Sequence, residues 1–132
     1  MGDDRPLPGG HLEYAVLVSI WEGGALTARE VHDRVGVPLG LVYTTTARVL
    51  DRLHAKGLVA RDKRGKQFSY RAAAERPDVD RARISRTLSG LLTAGARPAV
   101  ASLVEAIEEI DPALLDELSR AIEALRRSRR EP

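Results

Sequence analysis

The segment 41–70, LVYTTTARVLDRLHAKGLVARDKRGKQFSY, decides the fold of this 132-residue chain. Apolar residues recur at helical spacing through 42–56, and the run stops at Gly57, a residue type that commonly ends helices. Two short apolar runs at 58–61 and 68–70 follow, separated by a tight basic turn. The segment therefore predicts a helix followed by a β-hairpin.

Positive charge is concentrated in the same segment. Between Arg48 and Arg71 there are eight Lys or Arg residues and two acids, whereas the net charge of the whole chain is only +2. The stretch 98–125 holds seven acids and one arginine. Such segregation indicates that two regions face different partners, and a helix with a basic hairpin would attract a DNA backbone.

Two further helices are predicted before the segment. An apolar stripe ends at Trp21, and Thr27 and Glu30 then form a capping box that begins the second helix. We expect that helix to end at Gly36, as a glycine just beyond the last turn. The predicted order is helix 12–21, extended link 25–26, helix 27–36, turn 37–40, helix 42–56 and hairpin 58–70.

This order of elements is that of a winged helix-turn-helix domain, which presents its last helix to the major groove of DNA. On that helix, Val42, Thr46, Val49 and Leu53 recur at helical spacing and are expected to be buried. The predicted fold class is mainly α with a small β wing. The predicted domains are a flexible arm at 1–10, the winged helix at 11–75 and a helical region at 76–132.

The region 76–132 predicts three more amphipathic helices. A region of this size is too small to bury all of their apolar stripes alone, so we interpret it as a homodimerisation element. The alternative is that these helices fold back onto the winged helix of their own chain. The apolar residues assigned to the dimer interface are Leu88, Leu91, Leu92, Leu103, Val104, Ile107, Leu115, Leu118 and Ile122.

The predicted DNA contacts lie on the exposed side of the helix 42–56 and around it. Thr45 and Arg48 are placed to read base edges, because a threonine can contact a thymine methyl and an arginine can fork onto guanine. Arg52 reaches a phosphate more easily than a base. The remaining candidates for phosphate or wing contacts are Arg29, Tyr43, Thr44, Lys63, Arg64 and Lys66.

Several functional classes lack a sequence signal. The chain has no cysteine, and its three histidines are far apart, so we expect no disulfide, no metal and no cofactor. No catalytic constellation or phosphate loop indicates an enzyme. The N-terminus lacks the apolar core of a signal peptide, and no apolar run is long enough for a membrane span, so a cytoplasmic protein is expected.

These motifs resemble the BlaI/MecI-type penicillinase repressors. The similarity runs from LEYAVLVSIWEGGALTAREVH at 12–32 through YTTTARVLDRLHAKGLVARDKRGKQFSY at 43–70, in the family's order and spacing. The resemblance implies a transcriptional repressor that binds double-stranded DNA at a palindromic operator as a homodimer. It also implies that the C-terminal helices form the dimer and that a signalling protease or another inducer ends repression.

The chain departs from the family pattern in places. Thr46 stands where the family's Y-T-T-V motif has valine, and we expect its hydroxyl to bond the carbonyl one helical turn back. No cleavage motif for a protease is evident. Two alternative functions stay open: a winged-helix regulator of another family that responds to a small ligand, and a winged-helix interaction module that does not bind DNA.

Overall fold

The computed structural model describes residues 6–93 and 95–131, and it divides the chain into two compact units, 1–86 and 87–132. The helices and strands are α1 His11–Gly23, β1 Ala25–Thr27, α2 Ala28–Val31, a π-helical turn His32–Gly36, α3 Tyr43–Ala55, β2 Val59–Arg64, β3 Gln67–Ala72, α4 Arg76–Leu92, α5 Ala96–Ile110 and α6 Ala113–Arg130.

The architecture confirms the predicted class, mainly α with a small β wing. The three strands form one antiparallel sheet in the order β1-β3-β2. The predicted link at 25–26 is extended, and it is also a true strand, since Leu26 pairs with Tyr70 of β3. The short β1 therefore ties the start of the second helix to the base of the hairpin.

The core of the first unit is formed by α1, α2, α3 and the base of the sheet. Leu17, Leu50 and Leu53 are fully buried there, and burying such a side chain contributes about 1.5–3 kcal/mol. Trp21, at the end of the apolar stripe of α1, packs against this core, and its indole N–H donates to the carbonyl of Ala74 at 2.9 Å. These contacts hold α1, α2 and α3 in place relative to one another within the first unit.

The first turns of α4 also belong to this core. Val79 and Ala82 are buried against it, and the Tyr14 hydroxyl donates to Asp80 at 2.7 Å. The division between the compact units consequently falls after Arg86, later than the boundary at 75/76 that the sequence suggested.

The N-terminal arm is held in place over its described part. The structure describes the arm from Pro6 onward, and Leu7 is buried in the core. Lys56 Nζ donates to the Leu7 carbonyl at 3.1 Å and to Glu13 at 2.7 Å. The expectation of a flexible arm at 1–10 is therefore wrong at Leu7, because an apolar side chain there completes the core; residues 1–5 lie outside the described residues.

The second helix ends differently from the prediction. The Thr27–Glu30 capping box is present, with both reciprocal hydrogen bonds. Gly36, however, lies inside the π-helical turn and has no positive φ. The chain reverses at Gly40, where φ is +71° and the Leu41 N–H donates to the Gly36 carbonyl at 2.9 Å. Gly40 is thus the terminating glycine of a Schellman-type ending.

The second unit contains α5, α6 and the end of α4. Asp111 caps α6, since its carboxylate accepts the Ala113 N–H at 3.0 Å while Pro112 adopts helical dihedrals. Within 87–93 and 95–131 no residue whose side chain is described is buried. Ile110 is 77% exposed, the largest value among the exposed apolar side chains of this unit.

Candidate nucleic-acid interface

α3 is anchored by one face and leaves the others open. Thr46, Val49, Leu50 and Leu53 are buried, as their helical spacing predicted. Val42 is 65% exposed and not buried as expected, because it lies in extended backbone just before the helix, where the helical period no longer applies. The remaining side of α3 is therefore available to a ligand.

The anchor includes one buried polar contact. His32 Nδ1 lies 2.8 Å from Thr46 Oγ1, and both side chains are buried. The hydroxyl of Thr46 thus bonds the preceding helix and not the carbonyl one turn back, which corrects our expectation. A Cβ at Gly36 would collide with both partners, so the glycine is required by the close approach of the two helices.

The first turn of α3 carries a stack of side chains. The ring of Tyr43 meets His32 edge to face at 5.6 Å between centroids, and the guanidinium of Arg29 lies 5.2 Å from the Tyr43 centroid. Tyr43 remains 41% exposed. Two predicted contact residues, Arg29 and Tyr43, are therefore brought together at the end of α3 that a helix-turn-helix directs towards DNA.

The predicted base-reading face is accessible. Thr44, Arg48 and Arg52 are exposed and Thr45 is half-buried. The positive charge of Arg52 also helps to lower the pKa of the Glu13 carboxylate.

The acids of the first unit neutralise part of its basic segment. Lys56 pairs with Glu13 at 2.7 Å, Arg61 pairs with Asp51 at 3.2 Å, and Arg71 pairs with Asp62. Across 6–93 and 95–131, no ion pair is found for the other five cations of the segment. These five are Arg48, Arg52, Lys63, Arg64 and Lys66.

Two acidic groups have lowered pKa values. Burial of Glu13 opposes its ionisation, but hydrogen bonds from Lys56 and from the Gly9 N–H, with the charges of Lys56 and Arg52, lower its pKa below the ordinary 4.5. The pKa of Glu30 is lowered by its hydrogen bonds with Thr27 in the capping box. Glu13 links α1 to Lys56 at the end of α3, and Glu30 caps the start of α2.

The wing is a two-residue hairpin. Arg64 pairs with Gln67, and Gly65 at the tip has φ +64°, the left-handed conformation that such a turn needs. Lys63, Arg64 and Lys66 are all exposed around it. The hairpin therefore presents three cations on a short, backbone-paired support.

Phe68 is not part of the core, although it is the single phenylalanine of the chain and lies on a strand. Its side chain is 40% exposed, and the guanidinium of Arg61 lies 4.5 Å from its ring centroid. The interior place on this strand belongs to Tyr70, which is buried. Phe68 and Arg61 were missed as candidate site residues, although their positions on facing strands beside a basic turn were a usable signal.

An open groove of about 620 Å³ lies between α3 and the hairpin. Its walls include Tyr43 and Asp51 from α3 and Arg61, Lys66 and Phe68 from the hairpin. It brings a predicted contact of the helix, Tyr43, and one of the wing, Lys66, to one concave surface.

Metal and membrane sites have no structural support in the ranges 6–93 and 95–131. No group of three or more His, Asp or Glu side chains there converges as a metal site. In the same ranges, no helix combines the length and the apolarity that crossing a bilayer requires.

The predicted dimer residues lie in α4, α5 and α6. Leu88, Ile107, Leu115 and Leu118 are half-buried. The others are exposed: Leu91, Leu92, Leu103, Val104 and Ile122. Apolar stripes are therefore present on all three helices, and no described side chain of residues 87–93 and 95–131 is buried.

The family model and the sequence relative point to the same family. The family model described as penicillinase repressor matches residues 9–124. The transcriptional regulator BlaI of Mycobacterium tuberculosis is 30% identical over 117 residues, which cover 88% of this chain and 83% of that protein. This relative extends across both compact units.

Solved structures support the fold. The solution structure of the DNA-binding domain of the repressor BlaI matches with a TM-score of 0.50 and 24% identity, covering 56% of this chain and 92% of that one. The structure of RosR from H. salinarum matches with a TM-score of 0.50 and 22% identity, covering 86% of this chain and 100% of that one. At these identities the likeness concerns the fold alone.

Proposed function

We propose that this chain, which belongs to the penicillinase repressor family, acts as a homodimer that binds a palindromic operator through α3 and the basic wing. The family is one of transcriptional regulators that bind DNA, and it is not an enzyme class. The finer points of the proposal are the contact residues, the dimer and the operator symmetry.

The observation that carries the proposal is the distribution of ion pairs. Within residues 6–93 and 95–131, Lys56, Arg61 and Arg71 form ion pairs, whereas none is found for the cations on α3 and at the hairpin tip, Arg48, Arg52, Lys63, Arg64 and Lys66. A surface that leaves such charges unpaired suits a polyanion, because every neutralised phosphate releases counterions.

The contact residues divide into two groups. Thr45 and Arg48 are assigned to base edges in the major groove, where Arg48 would fork onto guanine O6 and N7. The remaining residues are assigned to phosphates or to the minor groove beside the wing: Arg29, Tyr43, Thr44, Arg52, Lys63, Arg64 and Lys66. Sequence specificity would therefore come from the base contacts of α3, and affinity would come from the phosphate and wing contacts around it.

The dimer part of the proposal rests on the second unit. No described side chain of residues 87–93 and 95–131 is buried, and a second copy would cover the apolar stripes of this unit with identical stripes. A two-fold dimer also suits two half-sites about 34 Å apart on one DNA face. Bound at a promoter, such a dimer would block polymerase, and an inducer or a signalling protease would end repression by breaking it.

The test is a fluorescence-anisotropy titration with the duplex upstream of the chain's own gene and with a scrambled duplex, at several salt concentrations. We expect binding about 10³-fold tighter to the upstream duplex and a steep loss of affinity with salt. Equal affinity for both duplexes would contradict sequence-specific repression. No binding at low salt would favour the interaction module.

The contact assignment is tested by Arg48→Ala. It should weaken operator binding by about 1–3 kcal/mol and relax discrimination at one base position. Lys63→Ala should weaken binding to both duplexes alike. The matched control is Arg81→Ala, since Arg81 is an exposed arginine on α4 that pairs with Asp78; an equal loss with this variant would contradict the assignment.

A further inference from the structure

We infer that the groove between α3 and the hairpin is a phosphodiester site in which Arg61 meets the DNA strand and Asp51 competes with that strand for Arg61. The inference rests on the proposed function, because its ligand is the sugar–phosphate backbone of the same duplex. It adds a binding surface and an internal competitor that the proposed contacts do not include.

The shape of the groove comes from one face of α3. Tyr43, Ala47 and Asp51 line it, and their spacing of four residues places them in one row along the helix. The small side chain of Ala47, in the middle of the row, leaves room between Tyr43 and the hairpin. The opposite wall is formed by Arg61 and Phe68. The result is an open channel and not a closed pocket.

The charge of the groove suits an anion. Its lining includes the cations Arg29, Arg61 and Lys66 and a single acid, Asp51. Arg29 and Lys66 are proposed phosphate contacts, so the groove continues the proposed surface from the helix to the wing. Arg61 lines the same groove as these two residues.

Two contacts position the side chain of Arg61. Its guanidinium lies over the Phe68 ring, and its Nη1 donates to Asp51 Oδ1 at 3.2 Å. The side chain of Asp51 is 65% exposed, and pairs as exposed as this one contribute little to stability. A phosphodiester offers the guanidinium a bidentate partner, and the closely spaced charges of the DNA strand add to the attraction, so the phosphate can displace the single carboxylate. Asp51 then remains as a negative charge beside the bound phosphate.

The chain provides a matched control for Asp51. Asp62 pairs with Arg71 on the same hairpin, and its side chain is also 65% exposed. Direct cross-strand partners share a face and successive residues alternate, so the register places Asp62 and Arg71 on the face opposite Arg61 and Phe68. Neutralising either carboxylate changes the net charge equally, but only Asp51 lines the groove.

The experiment measures the affinity and the salt slope of four variants, Asp51→Asn, Asp62→Asn, Arg61→Gln and Asp51→Asn/Arg61→Gln, on the upstream and scrambled duplexes. We expect Asp51→Asn to tighten binding to both duplexes about fivefold and to steepen the salt slope by roughly one phosphate contact. Asp62→Asn should stay within about twofold of the wild type. Arg61→Gln should weaken binding and abolish the gain from Asp51→Asn.

The sign of the change decides the outcome. A purely structural Asp51–Arg61 pair predicts unchanged or weaker binding by Asp51→Asn, and that result overturns the inference. An equal gain with Asp62→Asn, or a gain that persists without Arg61, overturns it too. Operator-to-scramble discrimination reports on the proposed function, whereas the Asp51 effect is common to both duplexes, so either idea can fail while the other stands.

Discussion

The two compact units treat their apolar residues in opposite ways. In the first, the stripes of α1 and α3 meet each other and the sheet, and leucines such as Leu17 and Leu50 are fully buried. In the second, α5 and α6 carry stripes as regular as these, yet the residues described there include no buried side chain. A regular apolar stripe therefore predicts that a face will be covered, but not which molecule covers it.

The largest effect is expected from a substitution in the proposed dimer interface, where a second copy would cover the apolar stripes of the second unit. Ile107→Asp, on the stripe of α5, should weaken the dimer by about 4 kcal/mol, or roughly a thousandfold in Kd, because a lone charge would be buried at the interface. Sedimentation equilibrium measures the effect. The neighbouring Glu108→Gln is the control, and a wild type that is monomeric at micromolar concentration would contradict the dimer.

A core deletion in the first unit is the next largest effect. Leu50→Ala should lower the free energy of unfolding by about 3 kcal/mol, because it leaves a cavity at a fully buried site. Urea denaturation followed by fluorescence is the measurement, since Trp21 is the single tryptophan and lies in this unit. Leu125→Ala, at a 55% exposed site of α6, should shift the same denaturation curve little. Equal shifts for the two variants would contradict the difference in packing between the two units.

Two glycine-to-alanine substitutions are expected to change the stability of the chain in different directions. Gly36→Ala should destabilise the first unit by about 2 kcal/mol, because the new methyl group would collide with His32 and Thr46. Gly90→Ala, in α4, meets nothing within 4 Å and should be neutral or stabilising, since alanine is the better helix former. Thermal unfolding by circular dichroism compares the two, and destabilisation by both would count against the difference in packing.

The smallest effect depends on pH. Glu13 has a lowered pKa in the folded chain, so its ionised form stabilises the first unit above the ordinary value of 4.5 and loses this contribution as pH falls through the folded value. Glu13→Gln should therefore cost about 1 kcal/mol at neutral pH. The difference from the wild type should shrink below about pH 4.5. Urea titrations at several pH values measure it, with the exposed Glu108→Gln as control; a constant difference would contradict the assignment.

The sequence predicted most of the winged domain because its signals are local. The capping box at Thr27, the ending at Gly57 and the turn at Gly65 each depend on neighbours within a few residues, and all three appear in the structure. The alternation of buried and open faces on α3 was predictable for the same reason, except at Val42, which precedes the first helical turn.

What the sequence could not supply depends on tertiary contacts. The role of Gly36 is fixed by side chains from two helices, and the burial of Leu7 is fixed by a cavity in the core. The exposure of Phe68 follows from Tyr70 filling the interior place on the same strand. Which cations are paired also required the fold, since Glu13 and Lys56 are far apart in sequence.

The contact among His32, Gly36 and Thr46 has a consequence for the divergence of the family. The missing side chain at position 36 and the hydrogen bond between 32 and 46 occupy the same small space, so the three positions cannot drift independently. A relative with the family's valine at position 46 offers no hydroxyl to a histidine at position 32, and one with a larger side chain at position 36 needs a smaller one at another of the three positions. In an alignment of relatives, substitutions at positions 32, 36 and 46 should therefore occur together.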